Sequence, residues 1–168
     1  MRSVITFFVS QLLSVAALSA ATTTASQDWE VLALSTYSPS GRPGTSPWYK
    51  LNTTIWDPNN NSNQEKANCS AQWVYLEPPY GKWFNCSTVS YGQWKFEMTE
   101  TDGEYSSPTL DFMLHFVLEK KEGDTFDGAA RFVVGQNMGG LCSASGFCMW
   151  DLMADLVPWR INYQRRGT

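Results

Sequence analysis

The chain holds a single histidine, His115, and no Gly-x-Ser-x-Gly turn, which removes the usual routes to nucleophilic hydrolysis. A Ser-His-Asp arrangement needs an imidazole beside both a nucleophile and a carboxylate, and His115 falls in the middle of an alternating run. One histidine with cysteines committed to bridges leaves no tetrahedral zinc set. Asp124 and Asp127, followed by Gly128, lack the spacing of a calcium loop. No metal or cofactor is therefore expected. Positive charge is also scarce, with 12 Lys and Arg against 16 Asp and Glu and a net charge of -4. Nucleic-acid affinity rests on phosphate neutralisation, so that class of partner is excluded. The one basic cluster, Arg160, Arg165 and Arg166, reads as a solvated tail. Beyond the first 21 residues no apolar run reaches spanning length, and no membrane partner is expected.

What is present points to export. Arg2 precedes an apolar run from Val4 to Leu18, which closes on Ser19-Ala20-Ala21; residues 1–21 read as a signal peptide, and 22–168 as one secreted domain. Four Asn-x-Ser/Thr triplets agree with that compartment. Their acceptors, Asn52, Asn60, Asn68 and Asn85, are the candidate glycosylation sites. The four cysteines form two close sets, Cys69 with Cys86 and Cys142 with Cys148. An even count behind a leader means disulfides. Four cysteines permit three connectivities. Pairing within the sets would link the strands on either side of a Pro-Pro turn, as adjacent antiparallel strands allow, and would close the small loop at residues 143–147. Each such loop would add on the order of 2–3 kcal/mol in the chain-entropy model.

Short alternating runs divided by Gly, Pro and Asn clusters predict an all-β antiparallel barrel or sandwich. Strands are expected over Trp29–Ser35, Trp48–Trp56, Cys69–Leu76, Lys82–Cys86, Gln93–Thr99, Asp111–Glu119 and Phe126–Gly135. Trp94, Phe96 and Met98 share one face of their run, and Phe112, Leu114, Phe116 and Leu118 share one face of theirs. Met149, Leu152, Met153 and Leu156 fall at helical spacing, which allows one short C-terminal helix before Pro158. Trp159, Ile161 and Tyr163 then alternate like a closing strand.

Two constellations bear on chemistry. Glu97, Glu100, Asp102 and Glu104 gather near one strand end, and Glu122, Asp124 and Asp127 near a turn. A glycosidase needs two acids across a cleft, but acids at such places more often solvate turns. Eight tryptophans are many for this length. Most belong to the core, while Trp48 and Trp83 lie beside turns and are the candidates for a contact surface with sugar or protein.

Two cysteine-centred motifs, Cys69-Ser70-Ala71-Gln72 and Lys82-Trp83-Phe84-Asn85-Cys86, resemble the corresponding segment of the Alternaria major allergen family of small secreted fungal β-proteins. The first strand, the Gly41-Arg42-Pro43-Gly44-Thr45 turn, the strand at Trp94–Met98, the strand at Phe112–Lys120 and the last cysteine pair come in the same order. The resemblance implies a compact β-barrel or sandwich, bridges Cys69–Cys86 and Cys142–Cys148, and an extracellular protein without catalytic residues. It further implies an effector or elicitor whose partner is a plant defence protein. The chain lacks the additional N-terminal cysteine of covalently dimeric members, so no disulfide-linked dimer is expected. The alternatives are a secreted carbohydrate-active hydrolase using paired carboxylates, and a non-catalytic sugar-binding module.

Overall fold

The computed structural model describes residues 26–60, 64–103 and 106–167; the expected leader, residues 1–21, lies outside the described residues. In chain order the strands are β1 (Trp29–Ser38), β2 (Tyr49–Trp56), β3 (Lys66–Trp73), β4 (Trp83–Asn85), β5 (Gly92–Thr99), β6 (Asp111–Lys120), β7 (Thr125–Val133), β8 (Met138–Cys142), β9 (Cys148–Leu152), β10 (Trp159–Ile161) and β11 (Tyr163–Arg165). They form two antiparallel sheets. One runs β3-β2-β1-β9-β8, with β10 joining β1, and the other runs β11-β7-β6-β5-β4. The all-β expectation holds, and of its two forms the chain takes a sandwich-like one, not a closed barrel.

Side-chain alternation decides which face of each strand turns inward. Trp94, Phe96 and Met98 of β5 and Phe112, Leu114, Phe116 and Leu118 of β6 are fully buried, as their spacing predicts. Trp29, Val31, Leu51 and Ile55 meet them from the opposite sheet. Between the layers, the Trp29 ring meets the edge of Trp94 at 4.5 Å and stacks on Tyr163 at 4.5 Å. Pairs of this kind contribute about 0.5–1.5 kcal/mol beyond their buried area.

Cys69 bonds to Cys86 and Cys142 to Cys148. Cys69 lies on β3, the edge of one sheet, and Cys86 follows β4, the edge of the other, so this bridge clamps the two layers together. It does not join neighbouring strands of one sheet, because the turn between β3 and β4 carries the chain across the sandwich. Backbone bonds reinforce the clamp: the Ser87 amide donates to the Asn68 carbonyl at 2.8 Å, and the Asn68 amide donates to Ser87 Oγ at 2.9 Å. The second bridge closes the β8–β9 hairpin, where Cys142 and Cys148 stand opposite one another.

The C-terminal segment departs from expectation twice. Met149 and Leu152 belong to β9, which pairs with β8 on one side and with Ser35–Ser38 of β1 on the other. Only a single 3₁₀ turn, Ala154–Leu156, is helical. A stretch confined between a bridge and Pro158 is too short to repay helix nucleation, while β1 offers it a row of unpaired backbone groups. The arginine-rich end is likewise no tail, and the closing strand expected at Trp159, Ile161 and Tyr163 forms as two short ones. Trp159–Ile161 pairs with β1, and Tyr163–Arg165 pairs with β7 of the other sheet, so Asn162 is the crossing between layers. That crossing passes over Gly128, where a Cβ would lie only 2.8 Å from the Asn162 carbonyl oxygen.

Candidate functional site

β1, β3 and β8 all run toward one end of their sheet, where β2 and β9 begin. The connections at residues 39–48, 74–82 and 143–147 therefore meet there. The first is rich in proline and glycine, with Gly41 and Gly44 at φ 68° and 83°, a conformation that side chains with a Cβ seldom adopt. The Arg42 guanidinium donates to the Ala144 carbonyl at 3.3 Å, which ties this loop to the bridged hairpin. Between the first and second loops lies an open concavity of about 670 Å³, walled by Pro39, Pro47, Tyr49, Val74, Tyr75 and Leu76 among others.

The chemistry of this end is apolar and aromatic. Leu76 is 85% exposed, Tyr75 78% and Leu141 69%, and Trp48 and Met149 are about half exposed. Buried Trp73 stacks on Tyr49 at 6.0 Å, and Tyr49 in turn faces Tyr75 at 6.4 Å, so the surface rings rest on a rigid base. Burial, then the neighbouring Tyr75, push the Tyr49 phenol above its ordinary pKa and keep it a neutral donor. Large apolar side chains gathered in one exposed place mark an interaction surface more often than not. Loops on the end of a rigid sandwich are the usual position for one.

The outer face of the second sheet is of a different kind. Lys95 pairs with Glu119 at 2.7 Å, Arg166 with Asp127 at 3.2 Å, and Arg165 with Asp124. His115 Nε2 lies 3.4 Å from the same Asp127, with the Trp83 ring 5.6 Å away. Beside them Trp83, Asn85, Lys95, Val117, Glu119 and Arg166 line a shallow hollow of about 470 Å³. At the other end of this sheet, the largely buried Asp111 carboxylate accepts two bonds from the Arg131 guanidinium, at 2.9 and 2.8 Å. Those bonds hold its pKa below the ordinary carboxylate range despite some opposing desolvation.

The residues singled out from sequence are thus dispersed. Trp48 enters β2 at the apolar end, whereas Trp83 stands on β4 in the other sheet. Asn52 and Asn68 are exposed on adjacent strands of the first sheet, and Asn85 is exposed on the second. Asn60 follows the Asp57-Pro58 turn, and the rest of its triplet lies outside the described residues. Of the clustered acids, Asp124 and Asp127 each hold an arginine, Asp102 lies 3.9 Å from Arg131, and Glu104 lies outside the described residues. Among the described residues no group of three or more His, Cys, Asp or Glu is placed to hold a metal ion. No helix there is long and apolar enough to cross a membrane.

Tyr75, Leu76, Leu141 and Met149 were not singled out from sequence. A signal existed for two of them: Trp73-Val74-Tyr75-Leu76 is a continuous apolar run, which breaks the alternation of β3. Read as strand to Leu76, it hid the fact that the strand ends at Trp73 and the last two side chains project into solvent.

Fold and surface together define a two-bridge antiparallel β-sandwich with an apolar loop end. Comparison of the chain with protein-family models, curated proteins and solved structures finds no match.

Proposed function

We propose that the protein is an exported, non-enzymatic binding protein that grips a partner protein with the loop end formed by residues 39–48, 74–82 and 143–147. One observation carries this reading: Tyr75 and Leu76 stand almost fully exposed above a stacked aromatic base and beside a concavity of about 670 Å³. Aromatic and aliphatic anchors on a stiff support are what protein contact hot spots are built from. Two bridges of the kind that oxidising compartments maintain support the extracellular setting. The cysteine-centred motifs, by their resemblance to the Alternaria major allergen family, favour a fungal effector or elicitor whose partner is a plant defence protein.

The paired-acid alternative draws less support, because Asp124 and Asp127 are neutralised by arginines and Asp111 is held ionised, the reverse of a general acid. To test the binding reading, mature protein is infiltrated into leaf tissue and used to retain proteins from apoplastic fluid, alongside a Tyr75→Ser/Leu76→Ser variant. A defence response and a retained protein that both disappear with the variant are expected. A wild-type protein that provokes no response and retains nothing would refute it.

A further inference from the structure

We propose that the Cys69–Cys86 bridge selects the glycosylation site: it closes off the Asn68 and Asn85 triplets and leaves Asn52 to carry an N-linked glycan over the outer face of the β3-β2-β1-β9-β8 sheet. The inference rests on the export reading above, since only an exported chain meets the modifying enzyme.

Both Asn68-Cys69-Ser70 and Asn85-Cys86-Ser87 have as their middle residue a partner in the same disulfide. Once it closes, Cys69 and Cys86 are buried and the two triplets are bonded to each other through Asn68 and Ser87. An oligosaccharide transferase must bend its acceptor so that the hydroxyl two residues on can approach the asparagine amide. Here Ser87 Oγ, the hydroxyl of the Asn85 triplet, is already taken by the Asn68 backbone amide. The Asn52-Thr53-Thr54 triplet contains no cysteine and is free of this constraint until β2 pairs.

The face that would carry the glycan differs from its counterpart. Across β1, β2 and β3 its centre is Ser35, Asn52, Thr54, Asn68 and Ser70, and its charges, Glu30, Lys50, Lys66, Asp151 and Arg160, stand around the margins. The outer face of the other sheet carries Lys95, Glu97, His115, Glu119, Asp127 and Arg131. Charge is how a bare sheet face avoids association; at the uncharged centre around Asn52 a glycan would serve instead. A trough of about 660 Å³, lined by Asn52, Thr54, Asn68 and Ser70 among others, gives the first sugars hydroxyl and amide partners.

In the transfer, Asn52 Nδ2 attacks the anomeric carbon of an oligosaccharide held on a lipid diphosphate. A C–N bond forms, the C–O bond to the diphosphate breaks, and the amide proton leaves with the lipid diphosphate. The competing step oxidises two thiols to the Cys69–Cys86 disulfide while a protein disulfide of the same compartment is reduced to a dithiol.

The full chain with its own leader is expressed in a yeast in an Asn60→Gln background, and each acceptor peptide is examined by mass after peptide N-glycanase, which leaves aspartate where a glycan stood. The exported protein should carry one glycan, at Asn52, and none when Asn52→Gln is added. Cys86→Ala leaves the Asn68 triplet unaltered and should expose it to glycosylation; Cys69→Ala should do the same for Asn85. These two variants are read from cell extracts, so that a folding failure does not hide the result. Glycan on Asn68 or Asn85 in the bridged protein, a bare Asn52 in exported protein, or bare triplets in the cysteine variants would overturn the selection. Absence of the wild-type protein from the medium would instead overturn the export reading beneath it.

Discussion

Asp111 shows how packing can override alternation at a single side chain. Its position opposite Phe112 and Leu114 places it on the outward side of β6, yet it is largely buried beneath Arg131 and takes a bidentate pair from it. A carboxylate whose folded pKa lies below its unfolded value of about 3.9 contributes stability that is complete above that pH. The contribution is lost as pH falls through the folded pKa. Thermal melts from pH 7 to pH 2 should therefore show a steep loss of stability below about pH 4, and Asp111→Asn should be less stable at neutral pH with a shallower acid limb. An unchanged acid limb in the variant would show that other carboxylates govern acid unfolding. At this scale the sequence was most informative about rings and least about surface. Trp94, Phe96 and Phe116 announce their burial by alternation, while nothing local announces that Arg131 of β7 stands over Asp111.

Among the elements, edges carry the lesson. The strand runs of β1, β2, β5, β6 and β7 were legible to within a few residues because period-two patterning is a local property. The fates of β9, β10 and β11 were not, since each is decided by which distant edge needs a partner: β9 and β10 complete β1, and β11 completes β7. The same holds for the Cys69–Cys86 bridge, whose pairing was foreseen but whose role as a clamp between layers depends on β3 and β4 lying in different sheets. Its loop spans 17 residues in sequence, against 6 for the hairpin bridge. Removing it as Cys69→Ala/Cys86→Ala should lower unfolding free energy by about 3 kcal/mol, and Cys142→Ala/Cys148→Ala by about 2 kcal/mol, as measured by urea titration. Equal losses, or a larger loss for the hairpin bridge, would contradict the clamp. At the opposite edge, Gly128→Ala should cost about 1–3 kcal/mol by pressing a methyl group into the Asn162 carbonyl, and the same titration would read it.

As a whole molecule the protein divides into a rigid body and one sociable end. Trp29, Trp94 and Tyr163 join both layers. The loops at residues 39–48, 74–82 and 143–147 present apolar groups on a fixed base. Such a division suits recognition, because an anchor that is already ordered loses little entropy when it binds. It was only partly visible in sequence: Trp48 was a contact candidate because it lies beside a turn, whereas Leu141 and Met149 come to this end through the bridged hairpin.

The most direct measurement is the affinity of the partner retained from apoplastic fluid for three forms of the chain: wild type, Tyr75→Ser/Leu76→Ser and Trp83→Ser. With the loop end as the grip, the first variant should weaken binding by about tenfold or more, at nearly unchanged melting temperature, and Trp83→Ser should bind like wild type. Undiminished binding by Tyr75→Ser/Leu76→Ser, or loss through Trp83→Ser alone, would contradict the account.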